Sequence, residues 1–156
     1  MTTHTKMMTT LKGLLVAACL SIVSITSHAG EDEIYTTFFS DSGAGGYDVV
    51  AYFTENIPVE GSDDFTVEYK NAEWYFSSRA NLDKFNENPD MYVPQYGGYC
   101  AWAVANGDTA SGDPLQWTVL NDRLYLNYDA DIQAMWSADR ENLIAKGDMN
   151  WPGVLN

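Results

Sequence analysis

The chain is poor in the residues that carry out most protein chemistry. Among its 156 residues there are only two cysteines and two histidines. Cys19, His4 and His28 lie in residues 1–29, which predict a secretion signal, so the mature chain keeps Cys100 and no imidazole. A histidine-activated nucleophile then lacks its base, a structural zinc site lacks its ligands, and a Cys-x-x-Cys redox pair lacks its second thiol. We therefore expect a protein that is not an enzyme.

The predicted signal peptide covers residues 1–29. Two lysines and no acid precede a short apolar run, and the small-x-small pattern of a cleavage site ends at Ala29. The run is short for a membrane span, although an uncleaved anchor or a buried N-terminal helix is an alternative. A lipoprotein is another alternative, because Val-Ala-Ala-Cys, ending at Cys19, resembles a lipidation box. We expect the protein in the periplasm or secreted after cleavage near Ala29.

Positive charge is scarce as well. Cleavage would remove Lys6 and Lys12, so 22 acids would face 6 bases and the formal charge would change from −14 to −16. Such an acidic chain repels phosphate, which excludes nucleic acid as a partner and disfavours anionic lipid surfaces. Strong membrane binding would require lipidation at Cys19. The acids are scattered, which is typical of a solvated surface rather than of a cation site, and a protein or a metal ion remains as partner.

Aromatic residues are abundant by contrast, with five tryptophans, ten tyrosines and six phenylalanines. A small domain needs large apolar side chains, so we interpret most of them as core residues. A stacking surface for sugars or other flat ligands, built from exposed tryptophans, is the alternative.

Alternating apolar and polar residues predict two β-hairpins. Segments 65–70 and 73–77 flank a turn at Asn71-Ala72, and segments 116–120 and 123–128 flank a turn at Asn121-Asp122. The hairpins resemble each other locally, but we see no repeat that runs through the whole chain. Two hairpins packed with about three helices predict a small single domain of the α+β class.

The helices are predicted from capping residues and apolar spacing. Ser78 is expected to cap a helix that ends at Asn88-Pro89, and the apolar run 99–105 has helical character. A last helix is expected to begin near Asp129 and to end at Gly147. Its predicted apolar side carries Ile132, Met135, Trp136, Leu143 and Ile144.

These patterns divide the chain into three parts. They are the signal 1–29, a flexible lead 30–45 and a domain 46–156. The lead ends in a glycine-rich loop that lacks the Lys-Ser/Thr pair of a phosphate cradle.

Several segments, taken in order, are similar to the YHS-domain family. They are 48–53, the hairpin region 68–78, the helix carrying Leu82 and Phe85, and 88–92. The extension 96–101, Tyr-Gly-Gly-Tyr-Cys-Ala, with the later Asn127-Tyr128 and Trp151-Pro152, resembles a secreted single-domain subgroup of that family. The resemblance runs from about Gly46 to Leu155.

The resemblance implies a small α+β module, found alone or fused to metal-transport ATPases and oxygenase components, with a metal-binding role carried by cysteines. This chain departs from that pattern. It has Val49-Val50-Ala51 where metal-associated members have an early cysteine, and Ser77-Ser78 where a second cysteine follows the hairpin. The metal role therefore cannot be transferred residue by residue.

Cys100 has three interpretations. It is an inert, buried apolar residue beside Gly97-Gly98, or a reactive thiol in the first turn of a helix. The third is a soft-metal site, with copper as the metal, because copper(I) accepts thiolate and thioether ligands. Met91 and Met149 are the methionines we assign to that site, and Met135 fits core packing better.

The candidate ligand or thiol site is the segment around Cys100 together with Asp48. Its remaining members are Tyr96, Gly97, Gly98 and Tyr99. Asp48 lies in an apolar segment, where a buried carboxylate needs hydrogen-bond partners, and it is expected either to cap local backbone or to face a ligand. The leading hypothesis is a secreted binding module for a soft metal such as copper. The alternatives are a thiol-dependent redox or accessory protein and a small-ligand or carbohydrate binder.

Overall fold

The computed structural model describes residues 30–37 and 39–156. The predicted signal peptide, Cys19 and the cleavage site lie outside the described residues. Within the described ranges, no helix is long and apolar enough to cross a membrane.

The described chain contains six α-helices and two antiparallel β-hairpins, which confirms the α+β class. In chain order the elements are α1 Ala51–Thr54, β1 Ser62–Tyr69, β2 Ala72–Phe76, α2 Arg79–Glu87, α3 Pro89–Tyr92, α4 Ala101–Ala105, β3 Asp113–Leu120, β4 Arg123–Asn127, α5 Ala130–Ala138 and α6 Arg140–Asn150. Short 3₁₀ turns at Gly43–Gly46 and Gln95–Gly98 precede α1 and α4, and a third turn covers Gly153–Leu155.

The first hairpin turns one residue earlier than predicted. Its two turn residues are Lys70 and Asn71, with φ values of 53° and 61°, and Ala72 already belongs to β2. Two-residue hairpin loops of this kind need φ above zero at both central positions, because their twist then matches the twist of the strands. The second turn, Asn121-Asp122, forms as predicted with φ values of 50° and 57°.

The predicted cap of α2 is confirmed, and Asp129, near which the last helix is predicted to begin, also acts as a cap. The Ser78 hydroxyl accepts the Asn81 N–H at 3.2 Å, and the Asp129 carboxylate accepts the Ile132 N–H at 2.8 Å. Each side chain thereby satisfies one backbone donor that its helix leaves unpaired.

The prediction of one last helix is wrong, because Asp139 adopts φ −139° and separates α5 from α6. Gly147 is not a cap but lies within α6, where an added Cβ would be 2.6 Å from the Tyr96 hydroxyl. The glycine therefore makes room for that ring. Met135 is 54% exposed rather than packed in the core, whereas its neighbour Trp136 is fully buried.

The same order of elements occurs twice, so the expectation that no repeat runs through the chain is wrong. A 3₁₀ turn, a short helix, a hairpin and a capped helix occupy residues 43–92, the first half, and again residues 95–150, the second half. Tyr47 bridges Glu60 in one half, and Tyr99 bridges Ser111 in the other. The register of each hairpin also shifts once at the same place, after Ser62 and after Asp113.

Backbone geometry repeats in the same way. The Asp48 N–H donates to the Val59 carbonyl at 2.8 Å, and the Cys100 N–H donates to the Ala110 carbonyl at the same distance. The two 3₁₀ turns each hold two consecutive left-handed residues. These correspondences make Cys100 the counterpart of Asp48, with an offset of 51 or 52 residues between the halves.

Each half has an apolar core, and the two cores share strand β4. Trp74, Phe76 and Phe85 form much of the first core, which Leu124 and Leu126 complete from the second half. The second core lies around Tyr125 and Trp136.

The predicted lead packs against the domain. Gly43 and Ala44 are buried, and Gly43 approaches the Trp74 ring so closely that a Cβ would overlap it. Farther upstream, Ile34 is buried in the first core, and the Glu31 N–H donates to the Leu155 carbonyl at 2.8 Å. The two ends of the described chain therefore meet.

Candidate functional site

Cys100 immediately precedes α4 and is a free, buried cysteine, only 1% exposed. Its sulfur lies 3.8 Å from Oδ1 of Asn127, which is itself fully buried. The same oxygen accepts the Trp102 N–H at 3.2 Å, so the amide is oriented with its oxygen toward α4. Within the described part of the chain the Asn127 Nδ2 has no hydrogen-bond partner. The thiol is therefore held by one weak polar contact.

Asp48, its counterpart, is fully buried and fully satisfied. Oδ1 accepts the N–H groups of Val50 at 2.9 Å and Ala51 at 3.2 Å. Oδ2 accepts the N–H and the hydroxyl of Ser77 at 2.8 and 2.7 Å, and the Asn81 amide at 2.8 Å. This confirms that Asp48 caps local backbone, and five donors leave its carboxylate no lone pair to offer a ligand.

We call Asp48, Ser77 and Asn81 the Asp48 cluster. At the equivalent positions the second half has Cys100, Tyr128 and Ile132. Ser77 precedes the cap of α2 as Tyr128 precedes the cap of α5, and Asn81 and Ile132 are each the third residue of those helices. A polar cluster in one half is thus replaced by a thiol and apolar surface in the other.

A cavity of about 380 Å³ opens at the replaced cluster; we call it the Cys100 cavity. Its lining residues are Cys100, Trp102, Ala103, Asn106, Asp108, Thr109, Ala110, Tyr128 and Ile132. Trp102 and Ile132 are half-buried and Tyr128 is 54% exposed, so the cavity has an apolar wall and an open mouth. Cavities of this size hold small organic ligands in other proteins.

Tyr96 supports the structure rather than the cavity. Its ring is buried, and its hydroxyl lies 2.9 Å from Asp148 and 3.3 Å from the Ile144 carbonyl of α6. Burial, together with the hydrogen bond to Asp148, raises the pKa of the Tyr96 hydroxyl above its usual value of 10. The side chain therefore stays neutral and clamps α6.

The next residues of the segment also contact the lead. A Cβ on Gly97, whose φ is 62°, would overlap the Glu33 carbonyl, so only glycine fits. The Tyr99 hydroxyl donates to the Asp32 carbonyl at 2.9 Å, and burial raises the pKa of Tyr99 to about 12. Gly98, with φ 89°, completes the turn. The Cys100 cavity is therefore lined by none of the four preceding residues, Tyr96, Gly97, Gly98 and Tyr99.

The predicted methionine ligands are not brought to Cys100. Met91 is 41% exposed on α3, and Met149 is 77% exposed on α6. Neither lines the Cys100 cavity. Among residues 30–37 and 39–156 there is also no group of three or more His, Cys, Asp or Glu side chains arranged to hold a metal ion.

A second cavity, of about 410 Å³, includes five charged residues in its lining, and these pair with one another. Lys70 lies 2.7 Å from Glu33 and 3.3 Å from Asp90, and Arg123 lies 3.8 Å from Asp148. The hydrogen bond with Glu33 raises the pKa of Lys70, partly offset by desolvation. The Lys70–Glu33 pair joins the lead to the first hairpin, and the other two pairs join that hairpin to α3 and β4 to α6, so all three have a structural role.

The fold and the cavity define a small α+β module with one buried thiol facing an open, mostly apolar pocket. Residues 50–96 match the family model of the YHS domain, the family that the sequence resembles. No curated protein and no solved structure matches the chain significantly. The family match ends where the second half begins, so Cys100 and its cavity lie beyond it. The secreted subgroup stays a prediction.

Sequence reasoning identified Cys100 but missed most of its surroundings. Asn127-Tyr128 entered only as part of the family resemblance, and Asp108 and Ala110 were not singled out. The shared Gly-Gly-Tyr of 45–47 and 97–99 is the signal that aligns the halves. Alignment on it places Cys100 opposite Asp48, and a gap of one residue before the hairpins then brings Ile132 opposite Asn81.

Proposed function

We propose that the chain is an extracytoplasmic, non-catalytic binding module whose ligand site is the Cys100 cavity. The observation that carries the proposal is the open apolar cavity at the position where the first half holds the saturated Asp48 cluster. The proposed ligand is a small molecule with an aromatic or short aliphatic body.

The chemistry of the lining supports a binding role. Trp102 and Tyr128 offer flat apolar faces on which a ring can pack, and Ile132 adds an aliphatic wall. The most reactive nucleophile type in the lining is the Cys100 thiol, and residues 30–156 contain no histidine that could activate it. A site of this composition binds by contact and shape rather than by turnover.

The area of contact sets the expected affinity. A ligand that buries about 200 Å² of apolar surface gains roughly 5 kcal/mol at ~25 cal/mol per Å², before the cost of association. Dissociation constants between about 1 mM and 1 μM correspond to binding free energies of roughly −4 to −8 kcal/mol. We therefore expect affinities near the weak end of this range.

The soft-metal hypothesis finds a poor donor set. A YHS domain suggests a metal-binding module, and copper(I) prefers thiolate and thioether ligands. The lining of the Cys100 cavity offers one thiol, no methionine and one carboxylate, that of Asp108. These residues do not fit a copper site, so the proposal does not include a metal.

The test is a nuclear magnetic resonance titration of the mature protein with 2-phenylethanol, a neutral probe with an aromatic body. We expect saturable shifts at Trp102, Tyr128 and Ile132. An Ala110→Phe variant fills the cavity and should lower the affinity for the probe at least tenfold. Val59→Phe introduces the same side chain at the equivalent position of the first half and serves as the matched control.

Two results would contradict the proposal. One is the absence of saturable shifts at the lining residues, and the other is equal binding by Ala110→Phe and the unaltered protein. Metal analysis of the same protein before and after incubation with copper(I) tests the competing hypothesis, since stoichiometric copper lost in Cys100→Ser would favour the metal site.

A further inference from the structure

We propose that the Cys100 cavity selects organic cations, namely small amines with an apolar body, over neutral and anionic molecules of the same shape. This inference rests on the proposed function and adds the charge of the ligand. It is carried by charge complementarity between the cavity and the ligand.

Asp108 is the only charged residue in the lining, and no lysine or arginine accompanies it. Its position is fixed by the chain on both sides: its N–H donates to the Ala103 carbonyl at 3.1 Å, and its Oδ1 accepts the Thr109 N–H at 2.8 Å. An exposed carboxylate is thus held at the edge of an apolar pocket, where it can face an ammonium group.

The walls favour the same sign of charge. Aromatic rings attract cations through their negative faces, and the lining contains both a tryptophan and a tyrosine. Trp102 is the second residue of α4, whereas Tyr128 directly follows β4, so the two rings reach the cavity from different parts of the fold.

The field of the whole protein adds to this preference. Two of the six basic residues of the mature chain, Lys70 and Arg123, are at the other cavity, where both are paired with acids. A chain with a predicted mature charge of −16 concentrates small cations near its surface and repels carboxylates. The positive charge that an anionic ligand would need is absent from the lining of the Cys100 cavity.

The experiment uses three probes with one body and three charges: 2-phenylethylamine, 2-phenylethanol and 3-phenylpropionate. At pH 7 we expect the amine to bind about threefold to tenfold more tightly than the alcohol, the range for a solvent-exposed ion pair with a cation–π contact. The acid should bind more weakly than the alcohol. Asp108→Asn should reduce the ratio of amine to alcohol affinity below about twofold.

Asp131→Asn is the matched control, because Asp131 is an exposed acid on α5 outside the lining. It removes the same charge and should leave the ratio within error of the unaltered protein. Equal affinities for the three probes, or a ratio that Asp108→Asn does not change, would overturn the selectivity while the binding function stands. Absence of binding by all three probes would overturn both.

Discussion

The two halves of the molecule share one backbone plan and differ in chemistry at one internal cluster of three residues. In the first half Asp48 accepts five hydrogen bonds, and its partners Ser77 and Asn81 leave no space. In the second half Cys100 has one weak contact, and a cavity of about 380 Å³ lies beside it. The comparison shows that the same backbone position holds a saturated carboxylate in one half and borders an open cavity in the other.

The largest expected effect is at Asp48. Asp48→Ala removes an acceptor shared by five donors and leaves several of them buried without partners, so we expect a loss of about 3–5 kcal/mol in the free energy of unfolding. Urea denaturation followed by tryptophan fluorescence measures it. Cys100→Ala is the matched control, at about 1 kcal/mol, because it removes a small apolar group. Similar losses for the two variants would show that the contrast between the halves is unfounded.

The next effect comes from putting the first half's carboxylate into the second. Cys100→Asp should cost at least about 2 kcal/mol, since Tyr128 and Ile132 offer no side-chain donors comparable to Ser77 and Asn81. Adding Tyr128→Ser and Ile132→Asn supplies those donors and should recover at least half of the loss in urea denaturation. No recovery in the triple variant would mean that the halves are equivalent in topology but not at this position.

A smaller effect concerns access to the thiol. Cys100 is 1% exposed yet lines the cavity, so a small methanethiosulfonate reagent should modify it on the order of tenfold more slowly than in urea-unfolded protein. Mass spectrometry of quenched time points gives the rates. Ala110→Phe should slow the reaction further, whereas Val59→Phe should not. Modification at the unfolded rate would show that Cys100 is open to solvent.

The smallest effect is expected at the ion pairs of the lead. Lys70→Met removes the contacts with Glu33 and Asp90, which are more than half exposed, so the loss in unfolding free energy should stay below about 1 kcal/mol. Binding of 2-phenylethanol should not change. A larger loss, or weaker binding of the probe, would mean that Lys70 does more than join the lead and α3 to the first hairpin.

The sequence predicted those features that depend on neighbours along the chain. Both hairpins follow from alternation and the cap of α2 follows from Ser78, and these predictions are confirmed. The first turn lies one residue earlier than predicted because Lys70 adopts a positive φ, which is uncommon for lysine. Met135 is predicted on the same apolar side as Trp136, but consecutive residues of a helix point about 100° apart, and only Trp136 is buried.

The repeat and the cavity could not be predicted in the same way. The halves differ most where their chemistry matters, with Asp48 against Cys100 and Asn81 against Ile132, so comparing residue types hides the shared backbone. A cavity forms where side chains from several elements leave space between them, and the sequence does not show which side chains meet. Cys100 could therefore be identified as unusual from the sequence, while its surroundings could not.

The leucines that β4 contributes to the first core bear on whether the halves can exist separately. Leu124 and Leu126 are fully buried among residues of the first half, and residues 31 and 155 are joined at the far end of the chain. A fragment cut at residue 96, where the family match stops, would lose both leucines and expose the surface they cover. The recognised domain boundary is therefore not a boundary of independent folding, and the chain should be expressed and dissected as one piece.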